Sequence, residues 1–274
     1  MSEQAAIDQS QLPNTVSSIV RDLHALGVRE GDCLLVHSSL SSLGWVCGGP
    51  QAVVQALLEA VGSEGTIVMP AHSGDWSDPA EWAHPPVPQA WLETIYREMP
   101  AFDPLLTPTR GMGRIAELFR TLPGALRSGH PQVSFSAYGK HAASIVADHA
   151  LTPQLGMPSP LGKLYGIGGT KVLLLGALYD SCTAFHLAEA LIPGMPVKRM
   201  GAALYEEGAR TWKWFEDFAY DSEDFVRIGA RLDECGEGER PARGQVGQAD
   251  CRLFGLKAGV DAAGEWLRAN RSFG

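Results

Sequence analysis

Acid, hydroxyl, thiol and imidazole crowd together between Asp180 and Glu189. Cys182 and His186 stand one helical turn apart, so in a helix they share a face. An imidazole with the ordinary pKa of about 6.5 suits general-base work near neutral pH. The plainer reading of His186 is a half-buried helix histidine satisfied by a carbonyl. Cys182 suggests a rival chemistry, in which the thiol is acylated first and the reaction runs ping-pong. Glu216 and Asp217 form a carboxylate pair on a predicted strand. Strand neighbours face opposite ways, so only one can enter a given cleft, and a solvated strand end is the alternative. Ser38, Ser39, Ser41 and Ser42 offer four hydroxyls after an apolar run. They suit a phosphate or carbonyl site, or a simple polar connection. Gly111, Gly113 and Ala116 match Gly-x-Gly-x-x-Ala, but Thr107 to Arg110 precede them where a dinucleotide fold needs a strand. What survives is a helix start whose N–H groups can meet an anion or an amide, or a plain cap. A nucleophile elbow, a Walker loop and a His-Glu-x-x-His motif are all lacking. The eight His are not at ligand spacing, so no metal is expected.

These groups need elements to hold them. Residues 171–176 read as a buried strand, and a helix begins near Thr183 and stops at Pro193 and Gly194. Open α/β sheets place their chemistry at such carboxyl ends. Before it, the pattern predicts helix 14–27, strand 33–37, helix 50–61 and strand 66–69. Residues 70–108 read as an ordered surface excursion with a helix at 88–98, and loops this long are usually functional. Helix 111–122, strand 133–137 and helix 140–149 follow. After Pro196, 197–205 and 210–218 read as an antiparallel pair. Helix 221–232, a Gly-rich loop at 235–247, strand 252–254 and helix 257–269 complete the chain. The expectation is one α/β domain spanning 1–274, with a mixed central sheet, helices on both faces and antiparallel C-terminal strands. Residues 1–11 read as a loose N-terminal segment. No internal repeat or low-complexity tract is evident.

The 274 residues carry a formal net charge of -9, which argues against a nucleic-acid partner and suits a cationic substrate. No apolar run reaches membrane-spanning length, and the start lacks a signal peptide's pattern. The five Cys are scattered at 33, 47, 182, 235 and 251, which fits a reducing cytoplasm.

Taken in order, His37 to Gly44, Gly48 to Pro50, Glu64 to Pro70, Phe102 to Pro104, Thr107 to Gly113, Arg127 to Pro131, Ser159 to Tyr165 and His186 to Glu189 resemble the aminoglycoside 3-N-acetyltransferase family. The resemblance covers roughly residues 12–270. It implies acetyl transfer from acetyl-CoA to the 3-amino group of an aminoglycoside, with antibiotic resistance as the role, or else to another small amine. A non-catalytic acyl-CoA or antibiotic binder is a further alternative. Ser38, Ser39, Leu40, Thr107, Thr109, Arg110, Gly111, Met112 and Gly113 resemble the coenzyme A site, with Ser159 and Tyr165 near it. His186 resembles the catalytic base, with Glu216 or Asp217 as its supporting acid. His72, Asp75, Asp180, Thr183 and Glu189 are the implied acceptor contacts. The partners implied are a cationic amine and coenzyme A, with a homodimer left open. Three departures fall on the acceptor side: Cys182 for Asn, Ala184 for Ser, and His72 for an aromatic Tyr.

Overall fold

The structure is a computed structural model and describes residues 3–236 and 240–271. Its strands are β1 (Cys33–Ser38), β2 (Thr66–Pro70), β3 (Leu126–Arg127), β4 (Phe135–Gly139), β5 (Lys171–Leu175), β6 (Val197–Glu206), β7 (Ala209–Phe218), β8 (Ala242–Val246) and β9 (Ala249–Gly255). One sheet runs β3-β4-β2-β1-β5-β9-β8, and β6 with β7 makes a separate hairpin. β1 lies parallel between β2 and β5. β4 pairs antiparallel with β2, and β9 with β5. This is the mixed sheet that the sequence predicts.

The helices are α1 (Glu3–Gln9), α2 (Val16–Leu26), α3 (Gly49–Val61), α4 (Leu92–Glu98), α5 (Gly113–Phe119), α6 (Ala142–Val146), α7 (Pro160–Gly166), α8 (Ala184–Ala190), α9 (Phe225–Asp233) and α10 (Leu256–Asn270). They cover both faces of the sheet. Cys33, Leu35, Val172 and Leu174 pack on Phe185 of α8, Phe225 of α9 and Val260 of α10. Leu34, Val36, Leu173 and Leu175 pack on Leu23 of α2, Leu57 of α3 and Phe119 of α5. Two buried faces explain why β1 and β5 read as unbroken apolar runs. Each buried Leu contributes roughly 1.5–3 kcal/mol, against about 0–1 for a surface ion pair. The central strands therefore dominate the scaffold's stability. Alternation along β1 also sends His37 toward α8 and Ser38 toward α3 and α5.

Four details differ from expectation. Residues 3–9, read as loose, form α1, and Trp45 Nε1 donates to Glu3 Oε1 at 3.3 Å. β4 begins two residues later than predicted, because Ser134 is spent on the Ala71 carbonyl. β8 lies inside the predicted loop 235–247. It is an edge strand in which only Val246 is buried, so it shows little apolar pattern. α7, capped by Ser159, had no counterpart in the sequence pattern.

The 70–108 excursion is ordered as expected. Trp76 Nε1 donates to the Pro100 carbonyl, and Tyr96 packs edge-on against Trp212 and Trp214 of the hairpin. Excursion and hairpin together form a wall beside the sheet's carboxyl end. Tight contacts elsewhere set the register. At Gly139 φ is +112°, and a Cβ there would lie 2.2 Å from the Gly65 carbonyl oxygen. Gly139→Ala is expected to cost roughly 2 kcal/mol or more in denaturant unfolding. An unchanged midpoint would contradict that close approach.

Candidate active site

The carboxyl ends of β1, β2 and β5 bring His37, His72 and the start of α8 together. On α8, His186 Nδ1 meets Glu189 Oε2 at 2.5 Å. Glu189 is fully buried. Its Oε1 accepts from Arg271 Nη1 and from the Asp221 N–H. Arg271 also donates to Asp224 Oδ2 at 2.9 Å. A carboxylate only accepts, so in the neutral ring Nδ1 carries the proton and Nε2 the lone pair. Among the described residues Nε2 has no hydrogen-bond partner, and the side chain is 16% exposed. Phe225 and Tyr220 flank the ring at 4.7 and 5.4 Å between centroids. An oriented imidazole with a free nitrogen can take a proton.

The neighbouring histidines differ. Burial, helped by the charge of His186, pushes His37 down to about 3. Burial and the same neighbour push His72 down to about 3. Both rings are neutral at physiological pH. His37 Nε2 lies 3.4 Å from Thr183 Oγ1, so Thr183 stands between His37 and His186 in the site.

A cleft of 730 Å³ opens where β1 runs into the Ser38 loop, lined by Ser38, Ser39, Leu40, Gly48, Gly113 and Arg114, among others; His186 is not one of its lining residues. Gly111 and Met112 also line it, so the Ser38 loop and the 111–113 turn do come together. α3 begins there behind Gly48 with no side-chain cap; the Gly49 N–H is given to the Val46 carbonyl and Pro50 has no N–H. Thr109 sits in an adjoining cavity, its N–H and hydroxyl both given to Glu117 Oε2. Burial alone would raise the Glu117 carboxyl, but bonds from Arg120 and Thr109 pull it to about 2.

Other expected contacts lie elsewhere. Thr107 is buried and braces the Asp103 N–H. Arg127 fixes that loop to the end of β2 by donating to the Thr107 and Ala71 carbonyls. Arg110 pairs with Asp75 at 3.1 Å, so each offsets the other's charge. Ser159 is fully buried as the α7 cap, and Tyr165 bonds Asp261 and Lys257 of α10. Neither is among the residues that line the cleft.

The acid supporting His186 also differs from expectation. It is Glu189, not Glu216 or Asp217. Glu216 is exposed on β7, opposite Arg199. Asp217 is buried, which raises its pKa, and it accepts from the Gln154 and Phe218 N–H groups. Glu189, expected to meet a substrate ammonium, has both oxygens committed. Asp180 is exposed beside Ser181. Of the three departures assigned to the acceptor side, Cys182 and Ala184 lie in the core, and only His72 lines a cavity. Arg271, which completes the acid, stands alone near the chain's end and gave no sequence signal.

The buried histidines make acid stability testable. The pKa is lowered from 6.5 at His37 and His72, to about 4 at His149, and well below 6.5 at His130, burial being the main cause each time. Below pH 6.5 the unfolded chain takes protons that the folded one refuses. Stability is therefore full above that pH and falls as pH drops, by up to about 1.4 kcal/mol per unit for each ring. Urea midpoints at pH 7.5, 6 and 5 check this, and a flat profile would count against the neutral rings.

Among the described residues, no helix is long and apolar enough to cross a membrane, and no group of three or more His, Cys, Asp or Glu could hold a metal ion. Comparison with known proteins agrees with the geometry. The chain is 48% identical to the SPbeta prophage-derived aminoglycoside N(3')-acetyltransferase-like protein YokD of Bacillus subtilis, over 97% of each chain. The crystal structure of YokD superposes with a TM-score of 0.94, at 47% identity over 97% of this chain and 98% of that one. Aminoglycoside N(3)-acetyltransferase VII of Streptomyces paromomycinus is 37% identical over 97% of this chain and 96% of its own. AAC-IIIb, solved as a binary complex with CoASH, has a TM-score of 0.82 at 33% identity, covering 95% of this chain and all of that one. AAC-VIa, solved bound to sisomicin, has a TM-score of 0.83 at 35% identity over 95% and 100%. The profile of the aminoglycoside 3-N-acetyltransferase family matches residues 35–268, and the chain belongs to that family.

Proposed function

We propose that this protein transfers the acetyl group of acetyl-CoA directly to the 3-amino group of an aminoglycoside, with His186 as the general base. One observation carries this reading: a carboxylate-held imidazole on α8 stands at the strand ends from which the Ser38 loop runs into the cleft. The CoASH complex of one relative and the sisomicin complex of another support the two substrates.

In the step itself, the amine nitrogen attacks the thioester carbonyl carbon. The C–N bond forms, the C–S bond breaks, and coenzyme A leaves as the thiolate. The proton lost by the nitrogen passes to His186 Nε2, then to the thiolate or to solvent. Glu189 stabilises the imidazolium, and Arg271 holds the other Glu189 oxygen in place. The Leu40 N–H or the Thr183 hydroxyl supplies the oxyanion contact, since the Ser39 N–H is given to the Leu175 carbonyl.

Cys182 supports direct transfer rather than a thioester on the enzyme. Its side chain is fully buried, and burial pushes the thiol up to about 12. The thiolate, not the thiol, is the nucleophile. His72, where the family commonly has Tyr, favours one second reading, in which the acceptor is another small amine. With an aminoglycoside as acceptor, the role is antibiotic resistance in the cytoplasm.

The deciding assay is thiol release from acetyl-CoA against a panel of aminoglycosides and other primary amines. His186→Ala is expected to lose roughly 10²–10⁴ in turnover, while Cys182→Ala keeps it. Near wild-type turnover in His186→Ala ends the general-base role. Coenzyme binding by calorimetry, with no thiol release for any amine, makes the protein a binder instead.

A further inference from the structure

Four arginines, at 110, 114, 120 and 127, lie in or just after the segment that carries the Gly111–Gly113 turn. Three of them are spent. Arg110 pairs with Asp75 at 3.1 Å. Arg120 donates to Glu117 and to the Leu105 carbonyl. Arg127 donates to the Thr107 and Ala71 carbonyls. The fourth, Arg114, is exposed, and its guanidinium has no hydrogen-bond or ion-pair partner among the described residues. It lines both the 730 Å³ cleft and the adjoining cavity of 520 Å³, which share Pro50 and the Gly111–Gly113 turn. A Cβ on Gly113 would lie 4.0 Å from the Ser38 carbonyl oxygen, so the turn rests against the end of β1. Arg114 is thereby carried to the cleft rather than away from it.

Charge in the cleft is sparse. Among its lining residues Arg114 is the only cation and Glu3 the only carboxylate. Glu3 Oε1 accepts from Trp45 Nε1 at 3.3 Å. Coenzyme A is uneven in a matching way. Its pantetheine arm is uncharged, and its nucleotide carries a pyrophosphate and a 3′-phosphate. The reacting carbonyl has to come to the carboxyl ends of β1 and β5, where α8 begins. The arm therefore runs along the Ser38 loop, and the nucleotide lies farther out. An unpaired guanidinium presents a fork of donors that matches phosphate geometry. A carboxylate repels the same group, so the sign of charge puts the phosphates beside Arg114 and away from Glu3. The carboxylate of the adjoining cavity, Glu117, is already held by Arg120 and Thr109.

We propose, on the basis of the acetyl-transfer reading, that Arg114 is the residue through which this protein recognises a phosphate of the coenzyme. Arg110, which the sequence suggests for the coenzyme site, does not share that role. Arg114 sets the direction in which the coenzyme lies in the cleft and distinguishes it from an uncharged thioester. It meets the nucleotide, not the reacting atoms, so it acts on coenzyme affinity.

Calorimetry without an amine tests this contact apart from turnover. The probes are coenzyme A, dephospho-coenzyme A and pantetheine. Arg114→Gln is expected to weaken coenzyme A about tenfold, and pantetheine by less than about twofold. Arg114→Lys, which keeps the charge and loses the fork, is expected to fall between the wild type and Arg114→Gln. Added salt is expected to weaken coenzyme A binding more steeply in the wild type than in Arg114→Gln. Dephospho-coenzyme A names the group: a loss of about tenfold in Arg114→Gln puts the contact on the pyrophosphate, and no loss puts it on the 3′-phosphate. The contact is overturned if Arg114→Gln binds coenzyme A as the wild type does, if it weakens pantetheine equally, or if Arg110→Gln loses as much coenzyme affinity. Weakened coenzyme A in Arg114→Gln, with no thiol release by the wild type for any amine, ends the transfer reading and leaves the contact standing. Thiol release with an unchanged KM for acetyl-CoA in Arg114→Gln does the reverse.

Discussion

The buried carboxylate of Glu189 is the constraint that the rest of the site obeys. An ionised carboxylate taken out of water costs several kcal/mol unless donors surround it. Glu189 has three: His186 on its own helix, the Asp221 N–H and Arg271. Arg271 comes from 82 residues further along the chain. It reaches Glu189 only because α10 packs its Val260, Ala263 and Leu267 into the same core as Leu187 and Ala188 of α8. The last helix therefore helps to hold the His186–Glu189 pair in place. Apolar packing fixes the distance, and the ion pair makes the buried acid tolerable.

The same residue type does different work a few ångströms away. His186 has a carboxylate on one nitrogen. His37 and His72 have none, and burial, helped by neighbouring positive charge, keeps them uncharged. Environment, not identity, assigns the protonation state. When His186 accepts a proton, the new positive charge sits on the one ring with an acid behind it. Neutral walls around it do not repel an incoming amine.

Much of this was legible in the sequence, for definable reasons. Apolar runs on β1, β2 and β5 mark interior strands because both sheet faces are covered. The loop at Ser38 and the turn at Gly111 announce themselves by hydroxyls and glycines, and both line the cleft. His186 was found because it follows a buried strand. Its acid was misread, because two adjacent carboxylates at Glu216 and Asp217 look more like a functional pair than one carboxylate three residues away. Helical spacing alone allows His186 and Glu189 to meet, but burial decides that they do. Ser159 belongs to one of the segments that carry the family resemblance, and its hydroxyl is spent capping α7. A recurring motif can preserve a helix start rather than a ligand contact. Arg271 carries no local signal, because its role exists only once distant segments are packed together.

Net charge misleads in a related way. A total of -9 suggests a carboxylate-rich pocket for a cation. In the folded protein the carboxylates nearest the site are occupied internally. Glu189 is bound by Arg271, Asp75 by Arg110, Glu117 by Arg120, and Asp217 by backbone N–H groups. The whole-molecule field can still raise the arrival rate of a cationic amine, since steering depends on summed charge and falls with salt. Selection on contact depends on the few groups that line the cavity. Attraction at a distance and recognition at contact are thus handled by different residues, and only the first can be read from composition.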